Sequence, residues 1–275
     1  MRSDVKPDVH RITALDGWRG IAILLVLFDH FQIELLGKRQ FATGMIGVLL
    51  FFVLSGYLIT GKLAPGVSLK RFYLRRFFRL MPAAWIYLFC IAVFGVLDLR
   101  FAFGCLLFFR NMQPLGVPYE WYTLHFWSLS IEEQFYLVWP ALLLMSGRFA
   151  KLIALTTGLA SLAWCMLFHA PIFSTVSNAP ALVLGCLLAL VGWKIPARVA
   201  VVLSMPGLPW IGRISYSLYI WNPLCFFLCR AFPFGFISFL IPVASYYLIE
   251  NPCIEWGRRL LEQTHTETAV SLAVP

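Results

Sequence analysis

The side chains able to do chemistry stand in four short blocks of an otherwise apolar chain. The first is LDGWRGIAILLVLFDHFQIELL, where Arg19, Asp29 and His30 interrupt a single apolar run. An ionisable group near a bilayer centre costs roughly 2.5–3.5 kcal/mol on insertion scales, so it persists where it has a task or a partner. Eleven helical steps of about 100° bring Arg19 and His30 to within about 20° of one face, roughly 16 Å apart along the axis. Asp29 points about 100° away, toward a different neighbour. A neutral imidazole is the least expensive titratable group to bury, and it can take a proton from a hydroxyl. The competing reading is a histidine bonded into helix packing; three ionisable groups in one span favour chemistry. Asp16, three residues before Arg19, is spaced to orient it.

The second block, RFYLRRFFRLMP, reads as a basic loop ahead of a span beginning at Pro82. On a helix, Arg76 and Arg79 form a two-guanidinium fork suited to phosphate or pyrophosphate, which each can bind bidentately. Anchoring to anionic lipid needs only charge, and composition does not separate the two readings. The third block is HFWSLSIEEQFYLVWP. Glu132 and Glu133 open an apolar run, where the helix macrodipole favours acidic residues. Glu132 shares a face with Ser128, so one carboxylate can meet a cavity while Glu133 meets water. Trp127, Phe135, Tyr136 and Trp139 form either an interfacial aromatic belt or a sugar-stacking wall, with the belt favoured. Trp127, Ser130 and Tyr136 are candidate linings of an acceptor cavity, together with Asp29.

The fourth block, GRISYSLYIWNP, contributes Tyr216 and Asn222 to the same candidate lining, and Pro223 is expected to break or kink its span. Gly212 and Ser217 read as small residues at a helix contact. Ser55-Gly56, within FFVLSGYLIT, reads the same way, because no neighbouring base or GxSxG context marks Ser55 as a nucleophile.

These blocks must be carried by elements that live in lipid. Of 275 residues, 60% are hydrophobic and 13% charged, against roughly 45–50% and about 25% in soluble domains. That excludes a soluble globule, a disordered chain and a disulfide-stapled module. The expected fold is all-α, a polytopic transmembrane helical bundle over residues 1–261, with 262–275 as a disordered tail. A span needs about twenty mostly apolar residues. About nine candidates result: Trp18–Leu36, Gly44–Thr60, Pro82–Leu97, the short Phe101–Phe109, Glu133–Met145, Leu152–Phe168, Pro180–Trp193, Ile214–Cys229 and Phe234–Ile249.

The net charge of +9 fits basic residues retained on the cytoplasmic side better than it fits nucleic acid. Lys62–Arg79 is the most basic stretch, which places it and the amino terminus (Arg2, Lys6, Arg11) in the cytoplasm; Lys38 and Arg39 are a modest exception. The seven cysteines form no CxxC pair and read as small core residues rather than bridges or metal ligands. No cleavable signal peptide is visible.

Taken in order, the blocks resemble the family-3 membrane acyltransferases of bacteria, which O-acylate envelope sugars. The family's arginine, ten residues and histidine are met by Arg19 and His30, and its RxxR by Arg76 and Arg79. Its FFVLSGFLIT-like, WSLSVEEQFYLLWP-like and SYSLYLWH-like segments appear at Phe51–Thr60, Trp127–Pro140 and Ser215–Asn222, followed by the ENP at Glu250–Pro252. The resemblance implies an inner-membrane enzyme that moves an acyl group, most often acetyl, from acyl-CoA to a saccharide hydroxyl. It also implies His30, Arg19 and Glu132 as catalytic residues and Arg76 and Arg79 as the acyl-CoA holders. Acyl-CoA is then a co-substrate; no metal and no resident cofactor are expected. Three departures stand out. The stretch between Trp193 and Trp210 is short where the family usually has another span or two, Asn222 stands where histidine is common, and Leu49 stands where aspartate often precedes FFVLSG. A proton-coupled transporter using Asp29 and His30, or an inactive acyltransferase relative, are the alternatives; the inverted repeats and paired broken helices of transporters are not visible.

Overall fold

The computed structural model describes residues 9–37, 42–63, 67–113 and 121–271. Arg2, Lys6, Lys38 and Arg39, used for orientation, lie outside those residues. All regular structure described is helical, as lipid requires, because a helix satisfies its own backbone donors and acceptors.

The chain begins with α1 (Val9–Leu36) and α2 (Ala42–Lys62), continues through α3 (Leu69–Val93) and reaches the short α4 (Leu99–Leu106). A long run follows, made of α5 (Trp121–Leu124), α6 (Phe126–Ser146) and α7 (Ala150–Phe168). Then come α8 (Thr175–Leu190), α9 (Ala197–Leu203), α10 (Leu208–Arg213) and α11 (Ser215–Ala231). The last elements are α12 (Leu240–Ser245), a π-helical turn at Tyr246–Glu250, and α13 (Asn251–Ser271). Among the described residues, four helical runs are long and apolar enough to cross a membrane: Thr43–Lys62, Leu69–Val93, Trp121–Phe168 and Gly235–Gln263.

Several expectations change. The basic block is not a loop: α3 starts at Leu69 and carries Pro82 in its interior. Pro140, Pro180 and Pro223 likewise sit inside helices, where the missing N–H is compensated by packing and neighbouring side chains. Phe101–Phe109 yields only the eight-residue α4. α6 starts at Phe126, so Glu132 and Glu133 lie beyond its first turn and gain nothing from the helix terminus. Trp127, Tyr136 and Trp139 are buried at 6%, 2% and 5% exposure, which removes them from an interfacial belt. α13 carries helix to Ser271, past the point where the tail was expected to begin.

The core sits where α1 and α2 meet α8, α10 and α11. Glycines bring these helices to backbone contact. A Cβ on Gly56 would strike the Leu182 carbonyl of α8, and one on Gly185 would strike the Val53 carbonyl of α2, a reciprocal pair. Gly212 of α10 lies on the Asp16 carbonyl, and Gly17 of α1 on the Leu203 carbonyl of α9. The short stretch after Trp193 therefore supplies two short helices that clasp the N-terminal half of α1. Where lipid tails are as apolar as side chains, such small-residue contacts drive helix association. Gly56→Val is expected to destabilise the detergent-solubilised protein by about 1–3 kcal/mol, the cost of overpacking, read as a lowered midpoint in thermal unfolding. An unchanged midpoint would remove the close α2–α8 approach.

Candidate active site

Helical spacing delivers the site from five elements. On α6, Ser128, Glu132 and Tyr136 follow at steps of four and share one face. On α3, Arg76 and Arg79 share a face, and α1 supplies Arg19. These side chains line one internal cavity of about 70 Å³, with Ser55 of α2 and Ser215, Tyr216 and Tyr219 of α11 closing its other walls. That volume holds several waters or a short acyl group.

Glu132 is the carboxyl group that lines the cavity with the three guanidinium groups. Its Oε1 accepts from the Ser55 hydroxyl and from the Tyr136 hydroxyl, and Tyr136 also donates to Ser55 Oγ at 2.8 Å. Arg76 lies flat on the Tyr136 ring, its Cζ 3.3 Å from the centroid. Stacking positions that fork without using its N–H groups. Arg76 Nε is buried and has no hydrogen-bond partner among the described residues. A buried donor left unmade costs about 1–3 kcal/mol, which a ligand oxygen would recover. Arg19 pairs with Asp16 at 3.4 Å, as its spacing predicts. Tyr216 donates to the Leu80 carbonyl at 2.6 Å and thereby ties α11 to α3 beside Arg79.

His30 is not part of this cavity lining. It sits half-buried between the rings of Trp121, at 5.4 Å, and Phe226, at 6.3 Å, both edge-on. Its Nδ1 lies 2.6 Å from Asn222 Oδ1. Tyr219, at the cavity wall, precedes Asn222 by one helical turn, so the imidazole lies just beyond the cavity's end. Phe51 and Tyr219, both lining the cavity, form an edge-to-face pair 6.3 Å apart.

Four of the candidate lining residues are elsewhere. Asp29 accepts from Thr43 Oγ1 at 3.0 Å, across the α1–α2 contact. Trp127 packs against Phe52 and Phe173. Ser130 donates to the Phe126 carbonyl at 2.8 Å and accepts the Arg110 backbone N–H at 3.0 Å. Asn222 is fully buried against His30. For the two on α6 the reason is helical phase: the cavity takes the Ser128, Glu132 and Tyr136 face with Leu129, whereas Trp127 and Ser130 turn into neighbouring packing. Conversely, Ser55 faces the cavity and a carboxylate, while Gly56 beside it makes the expected helix contact. Ser217, also read as packing, donates to buried Glu250 at 2.9 Å.

His125, just before α6, is a further buried residue that sequence spacing did not single out. Its ring meets Tyr87 and Tyr219 at 5.5 and 5.7 Å. Among the described residues no group of histidine, cysteine and carboxylates is arranged to hold a metal.

Five helices thus converge on one guanidinium-rich pocket, in the block order of a known family. The acyltransferase-domain family matches residues 12–249. The chain belongs to that family, the family-3 acyltransferases. It is 30% identical over 273 residues to the peptidoglycan O-acetyltransferase OatA of Listeria monocytogenes, covering 83% of this chain and 41% of that protein. It is 32% identical over 224 residues to YrhL of Bacillus subtilis, covering 68% and 34%. The O-acetyltransferase OatA of Staphylococcus aureus is 28% identical over 214 residues, covering 66% and 34%. The chain therefore spans well under half the length of these relatives. No solved structure matches.

With Ser130 assigned to packing, Ser130→Ala in this acyltransferase is expected to cost about 1–2 kcal/mol of stability by orphaning a buried backbone N–H. Turnover per folded molecule should stay unchanged. A loss of turnover without a loss of stability would return Ser130 to the site.

Proposed function

We propose that this acyltransferase moves an acyl group, acetyl in the simplest case, from acyl-CoA to a hydroxyl of an envelope saccharide. The observation that carries this reading is the convergence of Arg19, Arg76 and Arg79 on one internal cavity with Glu132. The Listeria monocytogenes relative is a peptidoglycan O-acetyltransferase by name, which makes a cell-wall glycan the first acceptor to test. The proposed setting is a bacterial inner membrane, with about nine spans and a cytoplasmic amino terminus.

In this scheme Arg76 and Arg79 hold coenzyme A phosphates at the cytoplasmic mouth, and Arg19 lies deeper along the same wall. Glu132, fixed by Ser55 and Tyr136, offsets part of the guanidinium charge and keeps the arginines apart. The acyl arm extends past the Phe51–Tyr219 pair toward His30, roughly 16 Å beyond Arg19 along α1. There the imidazole takes the acceptor's hydroxyl proton as the oxygen attacks the thioester carbonyl. The C–O bond forms, the C–S bond breaks, and the proton passes to the departing thiolate. Tyr136 and Tyr216, beside Arg76 and Arg79, line the phosphate end of this path.

The test uses purified full-length protein, labelled acetyl-CoA and a muropeptide acceptor. Acetyl transfer that disappears in His30→Ala supports the scheme. Proton-coupled solute uptake without acyl-CoA binding would replace it with a transporter. Arg76→Ala with Arg79→Ala should weaken coenzyme A binding by several kcal/mol at most, since charge-assisted hydrogen bonds are worth about 1.5–3 kcal/mol each. Unchanged binding by calorimetry would reduce those arginines to topological anchors.

A further inference from the structure

We infer that Asn222 and Pro223 act together as a device that fixes the tautomer of His30. The inference rests on the reading of His30 as the base and names the residues that make it one. A proline inside a helix removes the N–H that would bond the carbonyl four residues earlier. For Pro223 that carbonyl belongs to Tyr219. Asn222 Nδ2 occupies the vacated position, donating to the Tyr219 carbonyl at 2.5 Å.

A carbonyl oxygen only accepts, so this bond sets which way the amide faces. The nitrogen points at Tyr219 and the oxygen at His30, where Oδ1 lies 2.6 Å from Nδ1. The amide oxygen also only accepts, so His30 Nδ1 must carry the proton. In a neutral imidazole the other nitrogen, Nε2, then holds the free lone pair that a general base needs. Trp121 and Phe226 pack edge-on against the ring and limit its rotation. Asn222 is fully buried, so water does not compete for its oxygen. The titratable groups facing this pair are Asp29 on α1, held by Thr43 of α2, and His125 at the start of α6. Asn222 is thus a positioning residue rather than a lining one, and Pro223 is its support rather than a break.

The direct readout is ¹⁵N chemical shifts of histidine ring nitrogens in the full-length protein in nanodiscs, with His30→Gln assigning the signal. The expected wild-type state is Nδ1 protonated and Nε2 free. Asn222→Leu should lose that preference, and Pro223→Ala should weaken it by returning an N–H to the Tyr219 carbonyl. A wild-type signal from the opposite tautomer, or one that neither variant moves, overturns the device. Because this readout needs no turnover, it stands apart from the acyl-transfer assay, whose failure in the wild type would instead overturn the proposed function.

Where turnover is present, Asn222→Leu should lower kcat by about 10²- to 10⁴-fold, the contribution of a general base, with KM for acyl-CoA unchanged. Asn222→Asp keeps an acceptor at Nδ1 and should hold kcat within about tenfold at its own optimum. Its carboxylate favours the charged imidazolium, so the acid limb of the pH–rate profile should move to higher pH. An acid limb left in place, with kcat lost as in the leucine variant, would make Asn222 purely structural.

Discussion

A guanidinium group inside an apolar helical bundle has few partners to satisfy its charge, and that constraint organises this protein. Arg19, Arg76 and Arg79 come from two helices and line one cavity with the carboxyl group of Glu132. Charges of one sign brought this close repel unless an anion or a ligand stands among them. Glu132 is itself held by two hydroxyls, so three guanidinium groups and one carboxyl group line the cavity. A pocket built that way is poised for an anion. The unmade bond at Arg76 Nε says the same thing locally.

Holding such a pocket open requires the surrounding helices to be packed without slack. The glycines at the α2–α8 and α1–α10 contacts bring backbone to backbone, so the helices that carry Ser55 and Arg19 have little freedom to shift. The short α9 and α10 take over the buttressing of α1. The geometry of the site is therefore fixed by residues with no chemistry of their own.

Much of this was legible in the sequence because helical periodicity is. The i,i+3 fork of Arg76 and Arg79, the i,i+4 step from Ser128 to Glu132 and the Asp16–Arg19 pair all follow from one helix each. The apolar runs were legible for the same reason, though not their ends. Prolines 82 and 180 read as boundaries, yet in a bundle their lost hydrogen bonds do not end a helix. Phase was the second blind spot: the shared face of Ser128 and Glu132 was legible, yet Trp127 and Ser130, which lie off that face, were joined to the same lining. Contacts between distant positions were the third. Ser55 and Glu132 are separated by 77 residues, and His30 and Asn222 by 192. No local pattern encodes such a pairing.

Asn222 shows how a departure from a family pattern can be read two ways. As sequence, an amide where histidine is common reads as an altered contact, and the following proline as an interruption. In the fold the two are one arrangement, because the proline opens the carbonyl that orients the amide. A histidine in that place would offer Nδ1 or Nε2 to His30, either of which donates or accepts according to its own tautomer. An amide pinned by a carbonyl has no such freedom: its oxygen accepts in every protonation state of its neighbour. It also adds no second ionisable group to a lipid-embedded interior, where each one is costly. Arg19, at the other end of the same helical face, is held by a charge, while His30 is held by a dipole. Under the proposed scheme that difference matches the chemistry asked of each end, since an anion holder must stay charged and a base must stay neutral until it acts.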